Sequence, residues 1–220
     1  MTAILVDLDG VLIDSWEVVE QSFLSAAAEL NLDGQARLGD FRARMGMPLE
    51  TIVAEFAFPA DFSLHFRKAA RLRDHLVRPF QGVPAMLGHM REFGLLIGVV
   101  TGKDRLRALT ILETTGLVKH IDGIVTASDA PGKPQPDGLW LCEQLLGSGP
   151  SLAYIGDTTV DLQAARNAGR TPMLATWGGL RSEHEERGVI QVTHPDEVMA
   201  VIGALAGPPK RGALGQGADA

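Results

Sequence analysis

Ile4-Leu5-Val6-Asp7-Leu8-Asp9-Gly10 is the stretch on which the fold turns. Three apolar residues run without interruption into an acid, a second acid follows two places on, and a glycine comes next. An unbroken apolar run of this kind reads as a strand covered on both faces, as in a parallel sheet. Similar runs recur at wide intervals, at 95–100, 121–125, 152–155 and 172–175. Helical patterns over 105–115, 138–146 and 159–168 separate the later runs, with Gly116 and Gly169 where helix C-caps belong. Strand, helix and strand in repetition imply an α/β fold, a doubly wound parallel-sheet core of Rossmann-like type.

One interval departs from this rhythm. Between Ser15 and about Phe80 only helical stretches are legible, broken at 31–34, 46–48 and Pro59. That is too long for a strand-to-helix connection, so an inserted helical subdomain is expected. Pro79-Phe80-Gln81-Gly82-Val83-Pro84 reads as the hinge that returns to the core. The expected division is a core of residues 1–14 and 82–206, a helical cap of 15–81, and a disordered Gly, Ala and Pro-rich tail at 207–220.

Composition narrows the function. Hydrophobic residues make up 45% of the 220 residues and charged ones 21%, enough for a sizeable core. A net charge of -7 argues against nucleic acid, which demands a basic surface. No apolar run approaches bilayer length, and no basic leader precedes the first strand, so a cytoplasmic location without membrane contact is expected. Cys142, the single cysteine, excludes an intrachain disulfide and reads as a buried apolar residue. A monomer or a homodimer suits such a chain.

The acids carry the chemistry. Asp7 and Asp157 each end a strand run, and ligands in open α/β sheets bind beyond the carboxyl ends of strands. Two carboxylates converging there repel, and a hard divalent cation such as Mg²⁺ resolves the conflict. Asp9, two residues beyond Asp7, faces the same side of an extended chain. Gly10 permits a sharp turn and close approach of backbone amides to an anion. Thr101 and Gly102 follow another strand, offering a hydroxyl and an amide. In Gly132-Lys133-Pro134-Gln135-Pro136-Asp137 two prolines stiffen a loop around a lysine, in a chain with five lysines against fifteen arginines. Asp161 falls one helical turn beyond Asp157, as a metal ligand or a partner for Lys133. Each feature alone has an ordinary reading: Asp caps turns and helices, and Asp137 could cap the helix that follows it.

Taken together and in order, Asp7-Leu8-Asp9-Gly10, Thr101, Lys133 and Gly156-Asp157-x-x-x-Asp161 resemble the motifs of the haloacid dehalogenase (HAD) superfamily, in its phosphoglycolate-phosphatase-like branch. The resemblance covers the chain to about residue 205. It implies that Asp7 is a nucleophile, Asp9 a general acid/base, and Thr101 and Lys133 phosphate binders. Asp157 and Asp161, with Asp7 and the backbone carbonyl of Asp9, would face Mg²⁺. The implied activity is hydrolysis of a small phosphorylated metabolite through a phosphoaspartate. A sugar phosphomutase shares these motifs, and a non-catalytic binding protein on the same fold is an answer of another class. Asp9 speaks against a haloacid dehalogenase, and Lys68 is the one cap lysine a phosphonate hydrolase could use. In the cap, Arg44 and Gly46 resemble the loop that reaches the substrate, beside Arg42, Met47 and Pro48; His65, Arg67 and Arg71 are further candidates. Thr176-Trp177-Gly178-Gly179 and the segment 99–103 are loosely similar to phosphatases of aminohydroxybenzoate-derived antibiotic biosynthesis.

Overall fold

A computed structural model describes residues 1–179 and 188–206; the tail expected to be disordered, 207–220, lies outside the described residues. Six parallel strands form one sheet: β1 (Ala3–Val6), β4 (Leu96–Val100), β5 (Gly123–Val125), β6 (Ala153–Gly156), β7 (Thr171–Ala175) and β8 (Ile190–Val192). Their order is β5-β4-β1-β6-β7-β8. β1 is buried along its whole length and pairs with β4 on one side and β6 on the other, Val6 lying opposite Val99 and Ile155. The chain builds outward from β1 through β4 to β5, then crosses back to β6. The reversal therefore falls at β1, which is the switch point where such sheets bind ligands.

Helices cover both faces: α5 (Val83–Glu92), α6 (Arg105–Thr114), α7 (Asp137–Leu145), α8 (Thr159–Asn167) and α9 (Val198–Ala206). Asp137 is the first residue of α7 rather than its cap; Pro136 takes the cap position, because its ring already sets the backbone angle a helix needs. Gly116 and Gly169 follow α6 and α8 with φ of 70° each. One cluster of apolar side chains lies under α5, α6 and α9, and another beneath α7 and α8. Cys142 belongs to the second, and burial, with Glu143 beside it, pushes its thiol up to about 12.

Between β1 and β4 the chain leaves the sheet. A two-residue strand, β2 (Ile13–Asp14), pairs antiparallel with another, β3 (Arg78–Pro79), and these form the neck of the insert. The pair went unread in the sequence because two residues show no period. β8 escaped for a similar reason, being only three residues long. Between the legs of the neck run α1 (Trp16–Glu29), α2 (Gly34–Arg42), α3 (Leu49–Glu55) and α4 (Phe62–Arg71). Val19, Phe23 and Ala27 on α1 fall four apart, as do Phe62, Phe66 and Ala70 on α4, so each helix offers one apolar stripe. The stripes close on a core of their own, with Phe23 against Phe41 at 4.4 Å and against Phe62 at 5.5 Å between ring centres. No helix among the described residues is long and apolar enough to cross a membrane.

Packing around β4 leaves no room for a methyl group at Gly98. A Cβ there would stand 2.5 Å from Cys142 Sγ and 2.6 Å from Leu5 Cδ2. Overpacking of this kind costs about 1–3 kcal/mol, or roughly 3–10 °C in a chain of this size. Gly98→Ala is expected to lower Tm by that amount in a thermal melt, and adding Cys142→Ala should recover part of the loss. An unchanged Tm for Gly98→Ala would show that α7 does not press on the sheet as described.

Candidate active site

Three strand ends and two loops meet at the switch point. Asp7 leaves the end of β1 with 1% of its surface exposed, and its amide donates to Ile155 O at 2.8 Å, which carries the pairing with β6 one residue further. Asp157 follows β6, and Asp161 lies in the first turn of α8. Glycines make this crowding possible. Gly10 turns at a φ of 73°, and any Cβ there would overlap the Asp157 carboxylate; a Cβ at Gly156 would overlap the Asp161 side chain. Asp161 is wholly buried and fixed by its cap: Oδ2 accepts from Thr158 N at 3.0 Å and from Thr158 Oγ1 at 2.5 Å.

Lys133 answers these acids. Its Nζ stands 3.1 Å from Asp7 Oδ2 and 2.5 Å from Asp161 Oδ1. Burial alone would lower the ammonium pKa, but Asp161 and Asp7 outweigh it and hold Lys133 above its ordinary range. Tyr154 completes the arrangement, and the sequence reading missed it. Its hydroxyl receives a hydrogen bond from Lys133 Nζ at 3.1 Å and donates to Val100 O at 2.9 Å. The clue was present: the single tyrosine of the chain sits in a strand buried throughout, and a buried phenol demands a partner.

Asp7, Asp157 and Asp161 each offer an oxygen within 4.8 Å of the others. Burial pushes the Asp7 carboxyl up to about 7, with Asp161 and Asp9 adding to the shift and Lys133 opposing it. Burial raises Asp157 well above the carboxylate range, reinforced by Asp161 and Asp7. Asp7 Oδ1 is buried and lacks a hydrogen-bond partner. If all three ionised, three carboxylates against one ammonium would leave a formal charge of -2, which is what the raised Asp7 and Asp157 resist. A divalent cation with hard oxygen ligands fits that deficit and the orphaned oxygen, and Mg²⁺ suits a site of few carboxylates.

Asp9 stands apart from that cluster. Its carboxylate accepts from the Ser15 hydroxyl and pairs with Lys103 Nζ at 3.0 Å. Burial opposes its ionisation, yet Lys103 and Ser15 prevail and hold it below the usual carboxylate range. Lys103 and Ser15 were not among the residues singled out in the sequence. Thr101 is buried at the end of β4, and its Oγ1 accepts from Lys103 N at 3.2 Å.

Asp7, Asp9 and Thr101 open on a cavity of about 80 Å³ beneath the helical insert. The loop of Gly46, Met47 and Pro48 presses on the core: a Cβ on Gly102 would stand 2.8 Å from Gly46 O, and one on Gly132 would overlap the Pro48 ring. Gly46 and Gly102 thus line the cavity, while Gly10 lies behind it against Asp157. Arg44 is elsewhere. Its Nε bonds Glu55 Oε2 at 2.8 Å, and its guanidinium lies 5.0 Å from the centre of the Phe56 ring. Arg42 stacks on Trp16, His65 pairs with Glu29, and Arg71 is exposed. Arg67 does reach the cavity, as does Arg107, which the sequence reading passed over. Arg107 is buried on Asp74, with Nη2 to Oδ1 at 2.6 Å, and so ties α6 to the segment after α4.

Comparison with known proteins bears on the family and the fold. Residues 4–175 match the model of the haloacid dehalogenase-like hydrolases. The chain is 33% identical over 182 residues to pyrophosphatase PpaX of Bacillus velezensis, covering 80% of this chain and 84% of that protein. It is 30% identical to a phosphoglycolate phosphatase of Xylella fastidiosa, covering 80% of each. A crystal structure of a hydrolase from Pseudomonas syringae superposes with a TM-score of 0.77 at 22% identity, over 92% of this chain and 98% of that one. The match to the family model spans both motif ends of the buried site, from Asp7 to Asp161: the chain belongs to the haloacid dehalogenase-like hydrolase family.

Proposed function

We propose that this protein is a Mg²⁺-dependent phosphatase that hydrolyses a small-molecule phosphomonoester through a phosphoaspartate at Asp7. The observation that carries this reading is the state of the Asp7 carboxylate. It faces the cavity, one oxygen is held by Lys133, and the other is buried without a partner. A carboxylate so placed is pre-positioned to attack, and the hydrogen bonds that align it are already made.

In the first half-reaction an Asp7 oxygen bonds to phosphorus as the bond from phosphorus to the alcohol oxygen breaks. Asp9 faces the same cavity; it must enter this step protonated, against the pull of Lys103 and Ser15, and passes that proton to the departing alkoxide. In the second half it takes a proton from water as the water oxygen attacks phosphorus and Asp7 leaves. Lys133, Thr101 and the amide of Gly102 offset charge on the transferring group. Asp7, Asp157 and Asp161, with the main-chain carbonyl of Asp9, would hold the cation, which neutralises the approach of two anions. Residues 15–81 serve as a cap that excludes bulk water, over a catalytic core of 1–14 and 82–206.

Asp7→Asn is expected to reduce phosphate release about 1,000-fold or more while shifting Tm little, since Lys133 keeps Asp161; substantial residual turnover would overturn the nucleophile. Chelation by EDTA should silence the enzyme and Mg²⁺ restore it. Mg²⁺ should also raise Tm by mass action in the wild type and much less in Asp157→Asn. Full activity in chelator, or equal shifts in both proteins, would defeat the cation site. Tyr154 acts as a positioning residue through Lys133. Tyr154→Phe should lower kcat about 10- to 100-fold with KM nearly constant, and an unchanged kcat would show that Asp7 and Asp161 alone hold the lysine.

A further inference from the structure

The cavity over Asp7 has two unlike halves. The core side presents Asp7, Asp9, Thr101 and Lys103. The cap side presents Val19, Phe41, Ile52 and Phe66, all buried, with the half-buried Met47 and Leu49. A phosphomonoester that puts its phosphoryl group on Asp7 must lay its alcohol portion against this second wall.

Three cationic side chains line the space, and each is already matched by a carboxylate of the protein. Lys103 holds Asp9, and Arg107 is buried on Asp74. Arg67 pairs with Glu50 and reaches Asp104 at 3.9 Å, so it joins cap to core. A second anion on the substrate would have to break one of these pairs. Leaving Asp9 or Asp74 buried and unpaired carries a heavy penalty, and drawing Arg67 away would undo the tie it makes from cap to core. Sugar hydroxyls fare no better, because the cap side offers them Arg67 as its one polar side chain among the described lining residues, and an unsatisfied buried hydroxyl is costly. Size adds a further limit. The space between the two halves is about 80 Å³ and opens to solvent, so what packs against the apolar wall suits a single ring or a short branched chain.

From this we infer that the substrate is the phosphate ester of a compact, uncharged, apolar alcohol, an arylmethyl or branched alkyl alcohol. The inference rests on the phosphatase reading and names the leaving group that reading left open. It sets this chain apart from a glycolate or hexose phosphate as substrate.

The test compares esters of primary alcohols, so that intrinsic bond reactivity is similar: benzyl phosphate and cyclohexylmethyl phosphate against 2-phosphoglycolate, glycerol 1-phosphate and glucose 6-phosphate. With the Mg²⁺-loaded protein, kcat/KM for the two apolar esters should lead by about 10- to 100-fold. Equal values, or a lead for phosphoglycolate or a sugar phosphate, overturn the inference and leave the phosphatase reading intact. Leu49→Asn, on the half-buried wall where folding is least at risk, should shrink the lead about 10-fold; an unchanged ratio also counts against the wall. Calorimetric binding of benzylphosphonate against phosphonoacetate repeats the comparison without turnover. Preferential binding of benzylphosphonate by a protein that hydrolyses none of the esters would support the apolar site while refuting the phosphatase reading.

Discussion

Everything at this site depends on holding like charges together where water cannot help. Asp7, Asp157 and Asp161 are buried, with oxygens within 4.8 Å of one another. Two unit charges at about 4 Å repel by roughly 4 kcal/mol even at an effective dielectric constant near 20. Lys133 meets two of the three carboxylates, and Tyr154 and Thr158 hold Lys133 and Asp161 in register. What remains is a formal deficit that a divalent cation would close. The sheet provides the frame for this arrangement: placing β1 between β4 and β6 brings the ends of three strands to one point.

The same constraint explains the glycines and the second lysine. Gly10 and Gly156 stand where a methyl group would collide with Asp157 or Asp161, so they serve the carboxylates rather than the turns alone. Lys103 keeps Asp9 occupied outside the cluster, so Asp7 and Asp9 stand in different surroundings although one residue separates them in sequence. The difference between two carboxylates at one strand end thus comes from their partners: Asp7 faces Lys133, and Asp9 faces Lys103 and Ser15.

The central strand and its acids were legible because local rules govern them. An unbroken apolar run defines β1, an acid at its end marks the ligand side, and Asp157 and Asp161 repeat the pattern at β6. The resemblance to the family came from that order alone. Long-range geometry hid the rest. The neck of β2 and β3 joins residues far apart in sequence through strands of only two residues. Arg107 finds Asp74 across the seam between α6 and the insert, and no spacing announces such a pair. Arg44 was singled out as the cap arginine, yet Glu55 and Phe56 engage it away from the cavity, whereas Arg67 on α4 lines the wall. Which face of a cap helix meets the site depends on how four helices pack, and periodicity alone leaves that open.

The central claim is covalent chemistry at Asp7, and rapid quench followed by peptide mass spectrometry tests it most directly. Mixed with Mg²⁺ and a hydrolysable phosphomonoester, then quenched in acid within one turnover, the protein should carry a phosphoryl group on Asp7. The adduct should decay as phosphate appears and be absent from Asp7→Asn. Phosphate release with no adduct on any residue, or with the adduct on a residue other than Asp7, would contradict the account.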